Sequence, residues 1–208
     1  MNENSNLHKE QIWENDEYIC KPLSLAITEN LTLLQLGLFT ILRNSEVYKY
    51  NPKIKIEEIE DVHGFLEGML GCHEDQKIFT YFIFEKRTKY VIGIIRLISP
   101  QIANNKFKFI TPMLAESNLL NNVWEIEFYL HPRCWRKGIM KTFVNAITNE
   151  IFVQGGKIVF ATVMPKNLPS INLLINLKYT LLSSDFDIYD SELGKHIVCF
   201  KSPFVETK

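Results

Sequence analysis

From His131 to Met140 the chain reads His-Pro-Arg-Cys-Trp-Arg-Lys-Gly-Ile-Met, a basic, glycine-containing turn between an apolar strand pattern and an amphipathic helix pattern. Residue types at this spacing can hold an anion. Pro132 stops the strand, and the first N–H groups of the helix that follows have no intrahelical partner and carry the positive end of its dipole. Gly138 lets a ligand approach the backbone. Arg133, Arg136 and Lys137 add positive charge, and the arginines can grip phosphate oxygens in a bidentate manner. An isolated run of this kind is more often plain solvated surface, so its neighbours decide its meaning.

Upstream, Glu125 and Glu127 fall on one face of the strand expected over residues 123–130, among Trp, Ile, Phe, Tyr and Leu. An unpaired buried carboxylate is costly. The two acids therefore face a cleft, or solvent, or are paired, with Arg96 of the neighbouring strand as the candidate partner. Downstream, Asn167-Leu-Pro-Ser170 has the composition of a turn running into a helix cap. His63, His73 and His131 have no partner in view and are expected on the surface or in loops.

The elements that position these residues can be read from periodicity. Residues 22–27 alternate like a short first strand, and Thr28 followed by Asn30 to Arg43 reads as a capped helix, apolar on more than one side as if pressed between the sheet and another element. Gly37 costs that helix roughly 1 kcal/mol relative to Ala. A second helix is expected over 56–70. Residues 77–84 and 90–99 form a hairpin, a long polar connection through Asn104, Asn105, Lys106 and Lys108 follows, and 117–122 is the entry turn of the 123–130 strand. A helix over about 137–152, capped by Gly155-Gly156, leads to a strand over 157–164, which makes a β-α-β crossover. Strands over 181–189 and 196–200 close the chain. The expected fold class is α+β, a mixed and mostly antiparallel central sheet of about six to seven strands flanked by about four helices.

With 208 residues, 46% hydrophobic and 23% charged, the chain has the size and composition of a single globular domain over 1–208, with residues 1–20 as a polar, flexible lead. No apolar run reaches a membrane-spanning length and the first residues lack a signal-peptide core, so a cytoplasmic protein with no membrane association is expected. Cys20, Cys72, Cys134 and Cys199 are too widely spaced for a zinc site or a disulfide framework, and no metal is expected. A formal net charge of -1 argues against direct nucleic-acid binding.

Several motifs, in order, resemble one family. Glu125-Ile-Glu-Phe-Tyr-Leu-His-Pro132 resembles an E-I-G-Y-x-L-x-P strand. Trp135-Arg-Lys-Gly-Ile-Met140 resembles a W-G-K-G-Y-M turn, and Asn167-Leu-Pro-Ser-Ile171 through Tyr179 resembles an N-x-x-S-x-x-L-L…G-F segment. Together they resemble a GNAT-superfamily N-acetyltransferase, of the branch that includes the Rim-type acetyltransferases of ribosomal-protein N-termini. The resemblance implies acetyl-CoA as co-substrate. Its pantetheine would pair with the backbone of Phe128, Tyr129 and Leu130, and its pyrophosphate would rest on N–H groups of Trp135, Arg136, Lys137, Gly138, Ile139 and Met140. Asn167 would orient the pantetheine or the start of a helix. Where many relatives carry a tyrosine acid this chain has Leu174, so Ser170 becomes the implied acid, with Glu125 preferred to Glu127 as base. Arg136 and Lys178 stand where the family usually has Gly; Arg136 is tolerable there if it keeps helical φ.

The implied activity is acetyl transfer to a primary amine in a ternary complex, with a peptide or protein N-terminus ahead of a small amine, by a monomer or homodimer. A different class is a non-catalytic acyl-CoA-binding or interaction protein that keeps the cleft. A nucleotide-binding protein is disfavoured because neither G-x-x-x-x-G-K-[ST] nor G-x-G-x-x-G occurs.

Overall fold

Runs of β-branched and aromatic residues become strands and the runs of helical period pack over them. In the computed structural model, residues 11–110, 122–181, 188–190 and 194–203 are described. In chain order they form β1 (Trp13–Glu14), β2 (Tyr18–Pro22), α1 (Leu23–Glu29), α2 (Leu31–Leu42), α3 (Ser45–Tyr48), α4 (Asp61–Glu74), β3 (Ile78–Glu85) and β4 (Val91–Ile98). Then come α5 (Pro100–Ile110), β5 (Val123–Leu130), α6 (Ile139–Val153), β6 (Ile158–Val163), α7 (Leu168–Asn176), β7 (Thr180–Leu181), β8 (Ile188–Asp190) and β9 (Gly194–Lys201).

Two compact units result, one holding the chain up to Leu97 with Phe128–Val144, the other Ile98–Glu127 with the chain from Asn145 on. In the first, the strand order is β1-β2-β3-β4, and the end of β5 follows β4, tied by His131 N–H to the Ile92 carbonyl at 2.8 Å. Its core joins Leu34, Leu38, Ile41 and Leu42 of α2 and Val62, Leu66 and Met69 of α4 to Phe82, Phe84, Val91 and Ile94 of the strands. A Cβ on Gly37 would lie 2.6 Å from the Val91 Cβ, so this glycine sets how closely α2 approaches β4.

In the second unit the start of β5 pairs in parallel with β6, as Val123 with Ile158, Trp124 with Val159 and Glu125 with Phe160. On its other side β6 runs antiparallel to β9, which also carries β7 and β8. The expected crossover is present as β5-α6-β6. The phenol of Tyr179 is buried against the Thr148 hydroxyl at 2.8 Å and is thereby tied to α6. The fold is α+β, with a mixed, mostly antiparallel sheet.

Several expectations change. The strand expected over 22–27 is β2, Tyr18–Pro22, and residues 23–29 are helical. Pro22 sets the helix start at φ −66°, and Leu23 and Ala26 bury one face at helical spacing. Within the expected flexible lead, Trp13 pairs with Cys20 and its ring meets Tyr81 edge-on at 5.2 Å, while the Asn15 side chain closes the intervening turn by accepting from Tyr18 N–H at 2.8 Å. Residues 1–10 lie outside the described residues. The polar connection after β4 contains the helix α5, and the second helix is Asp61–Glu74 instead of 56–70. The described residues hold seven α-helices and nine strands, more than the four and six to seven expected, because short elements leave little periodicity to read. The entry turn at 117–122 lies outside the described residues except for Asn122, as does most of 182–193.

Cys20, Cys72, Cys134 and Cys199 are free, and burial raises the thiols of Cys20 and Cys199, the latter to about 11. His73 is buried in α4 with its ring edge-on to Phe79, against the surface or loop position expected; His63 is exposed and meets Glu67 at 3.2 Å. Among the described residues no single helix is long and apolar enough to cross a membrane. The bent pair α1 and α2 passes by length and composition, and its buried residues belong to the core above.

Candidate active site

The ladder between β5 and β6 ends at Glu125 and Phe160, yet β5 runs on to Leu130. Phe128, Tyr129 and Leu130 are half-buried. Gly93 of β4 lies close beside them, since a Cβ there would sit 3.0 Å from Leu130 Cδ1 and 3.2 Å from the Tyr129 carbonyl oxygen. The phenol oxygen of Tyr129 accepts from Asn51 Nδ2 at 3.0 Å, which anchors the loop after α3 to the strand.

The turn that follows is built by Pro132–Cys134, a 3-10 turn, with Cys134 N–H donating to the His131 carbonyl and Trp135 N–H to that of Pro132. Trp135 Nε1 donates to the Leu130 carbonyl at 2.8 Å, and His131 Nδ1 accepts from Arg133 N–H at 3.3 Å. Burial lowers the His131 ring from its ordinary value, with Arg133 adding to the effect. Arg136 has φ +62° and Gly138 φ +76°. Arg136 is thus not in helical φ as the sequence reading required, and the helix starts at Ile139, not at 137, because left-handed residues cannot belong to it. Gly138 supplies the first carbonyl of α6, accepting from Thr142 N–H at 3.0 Å. The N–H groups of Ile139, Met140 and Lys141 are by position the open donors of that helix. Trp135, Arg136, Lys137 and Gly138 are exposed, whereas Ile139 and Met140 turn their side chains into the core. The turn offers backbone donors and cations together, which suits a pyrophosphate. Of the strand's acceptors, the Leu130 carbonyl is already shared with Trp135.

In the second unit Glu125 is 2% exposed and its Oε1 takes two donors, the Lys106 ammonium and Thr162 Oγ1 at 3.1 Å. Burial pushes this carboxyl above the usual carboxylate range; Lys106 pulls it back, and Glu127 pushes it up again. Glu127 is half-buried. The partner of Glu125 is therefore Lys106 of α5 and not the Arg96 considered from the sequence. Lys106 was missed because its stretch reads as a polar connection, and no spacing in the sequence marks it; Asn104 of the same helix accepts from Val123 N–H at 2.9 Å.

Asn167 is the N-cap of α7 and accepts from Ser170 N–H at 3.3 Å; Pro169 lies in the first turn. Ser170 is not the cap, so its hydroxyl is not used for capping, and among the described residues it makes no hydrogen bond. Leu174 is fully buried in the core, and its aliphatic side chain has no proton to transfer. Lys178 has φ +65° in the αL position after α7, with its N–H donating to the Ile175 carbonyl and that of Tyr179 to Leu174.

The half-buried end of β5 thus runs into an exposed cationic turn and the open N-terminus of α6. The chain belongs to the acetyltransferase (GNAT) domain family, whose model matches residues 31–180. Similar solved structures include the ribosomal-protein-S5-alanine acetyltransferase from Vibrio fischeri, at 15% identity and TM-score 0.60, covering 96% of this chain and 100% of that one. RimL, the ribosomal L7/L12 α-N-protein acetyltransferase, in complex with coenzyme A is 12% identical with TM-score 0.60, covering 92% and 98%. The microcin C7 self-immunity acetyltransferase MccE, in complex with acetyl-CoA and AMP, is 17% identical with TM-score 0.59, covering 90% and 93%. At these identities the structures speak for the fold. No curated protein matches the sequence.

Proposed function

We propose that this chain transfers an acetyl group from acetyl-CoA to a primary amine, a protein or peptide N-terminus ahead of a small amine, by direct attack in a ternary complex. The observation that carries the reading is the turn from Leu130 to Met140, where left-handed Arg136 and Gly138 present open backbone donors beside exposed cations. Backbone groups of Phe128, Tyr129 and Leu130 hold the pantetheine, and Trp135, Arg136, Lys137, Gly138, Ile139 and Met140 hold the pyrophosphate. Bound acetyl-CoA supplies the thioester carbonyl that the amine nitrogen attacks.

Glu125, or Glu127 beside it on the strand, accepts the proton that the attacking ammonium must lose, through water. A base of this kind serves an α-amine, with reference pKa about 8, more readily than a lysine at about 10.4. Asn167 sets the start of α7, and Ser170 gives its hydroxyl proton to the departing sulfur while taking up the second proton that the attacking nitrogen sheds as the C–S bond breaks. Residues 1–208 act as one catalytic domain, as a monomer or homodimer in the cytoplasm, without metal or nucleic acid. Coenzyme A and acetyl-CoA in the complexes of RimL and MccE support the choice of co-substrate.

The test pairs acetyl-CoA calorimetry with thiol release in the presence of short peptides beginning with Ala or Ser, and of the same peptides with blocked N-termini and one internal Lys. Binding with release on the free N-termini is the expected result. No acetyl-CoA binding sinks the reading, and binding without release on any amine replaces it by an acyl-CoA-binding protein, a second reading suggested by Leu174 in place of a tyrosine acid. Ser170→Ala should lower kcat with acetyl-CoA affinity intact.

A further inference from the structure

We propose that Lys106 is a positioning residue for Glu125: delivered by α5, its ammonium fixes which carboxylate oxygen stays open and keeps that carboxylate charged. The role it gives Lys106 in the reaction rests on the assignment of Glu125 as base.

The helix α5 is docked on the first residues of β5 by its own polar side chains. Asn104 takes the Val123 N–H at 2.9 Å and Lys106, two residues on, reaches Glu125. Thr162 of β6 donates to the same Oε1 at 3.1 Å, and Lys106 Nζ is 3.5 Å from the Thr162 hydroxyl. Among the described residues both donors of the carboxylate therefore meet at Oε1. Oε2 is left as the oxygen that can take a proton from water or an amine.

The side chains of Lys106 and Glu125 are 39% and 3% exposed, so the ammonium keeps contact with water while the carboxylate has little. A carboxyl buried to that extent without a countercharge favours its neutral form, and a neutral carboxyl is no base. The charged groups placed on it are Lys106 from α5 and Glu127 from its own strand; β6 contributes only the Thr162 hydroxyl. Glu127 acts against ionisation, and Lys106 offsets both Glu127 and part of the burial. A proton step at Glu125 thus depends on the charge that α5 delivers to it.

Lys106→Met keeps the stem and removes the charge, and Lys106→Arg restores a charge. The carboxyl carbon of Glu125 is followed by NMR against pH in protein carrying 13C-labelled glutamate, its signal identified by Glu125→Gln. In parallel, the pH dependence of kcat/KM is measured with acetyl-CoA and an Ala-initiated peptide. Glu125 in Lys106→Met should titrate about one to three pH units higher, the range an adjacent opposite charge commands. The acidic limb of kcat/KM should move up with it, and Lys106→Arg should return both. An unmoved Glu125 titration in folded Lys106→Met overturns the proposal and leaves the base assignment standing. A shifted titration with an unmoved limb supports the hold of Lys106 on Glu125 and removes Glu125 as base. If Lys106→Met fails to fold, Lys106→Gln decides: it removes the charge and keeps a polar head at this half-exposed position, so an upward shift supports the proposal and none overturns it.

Discussion

Trp135 Nε1 donates to the Leu130 carbonyl at 2.8 Å, so the indole at the head of the cationic turn is fastened to the last residue of the strand that leads into it. The bond sets the distance between strand end and turn, and with it the span a ligand must bridge from backbone acceptors to backbone donors. Trp135→Phe keeps an aromatic ring and loses the bond. One such bond is worth about 1 kcal/mol, so acetyl-CoA affinity should fall roughly fivefold by calorimetry. Unchanged affinity would mean that the turn keeps its place without the indole.

Arg136 and Lys178 both hold a left-handed conformation with a full side chain, at φ +62° and +65°. Arg136→Gly and Lys178→Gly should each stabilise the protein by about 0.5–1 kcal/mol in urea unfolding, because relief of the backbone outweighs the added freedom of the unfolded chain. Their binding effects should differ. Arg136→Gly should weaken acetyl-CoA by roughly tenfold, the value of one charge-assisted hydrogen bond, and Lys178→Gly should leave it unchanged. A destabilised Lys178→Gly would refute the strain argument.

Gly37→Ala puts two effects in opposition. The helix gains about 1 kcal/mol in propensity, while the new Cβ meets the Val91 Cβ at 2.6 Å and its backbone N and O at 3.1 Å. Overpacking of this kind costs about 1–3 kcal/mol and involves main chain that cannot step aside cheaply. Chemical denaturation should therefore show a less stable variant; a more stable one would mean that α2 shifts freely on the sheet.

His131 links the turn to pH. Its ring is held below its ordinary value by burial and by Arg133, and its Nδ1 must be unprotonated to accept the Arg133 N–H. The unfolded chain thus binds this proton more readily, so the contribution is present above an unfolded pKa of about 6.5 and is lost as pH falls below it. Melting curves from pH 7.5 to 5 should fall less steeply for His131→Asn, whose amide oxygen accepts without titrating. Equal slopes for the two proteins would remove His131 from the pH dependence.

The strands over 78–85, 91–98, 123–130 and 158–163 were legible because each carries a long run of apolar, β-branched and aromatic residues. The crossover was legible because Pro132, Gly138 and Gly155 punctuate it. α1 and α5 were not. α1 is a short apolar stretch that fits either period, and α5 carries Asn104, Asn105 and Lys106, whose polarity reads as a loop until the sheet they dock on is in place.

By itself, the order of residue types determined a strand, a cationic glycine-bearing turn and a helix in succession, and supplied the carboxylates and hydroxyl proposed for the transfer. Local sequence suffices there because caps, turns and alternation act over a few residues. Tertiary structure alone decided that Glu125 is buried against Lys106, that Asn167 and not Ser170 caps α7, and that Leu174 lies in the core. Ion pairing and burial depend on residues 19 to 37 positions apart in the chain, as in Lys106 with Glu125 and Glu125 with Thr162. No periodicity along the chain encodes that distance; it exists once α5, β5 and β6 have packed.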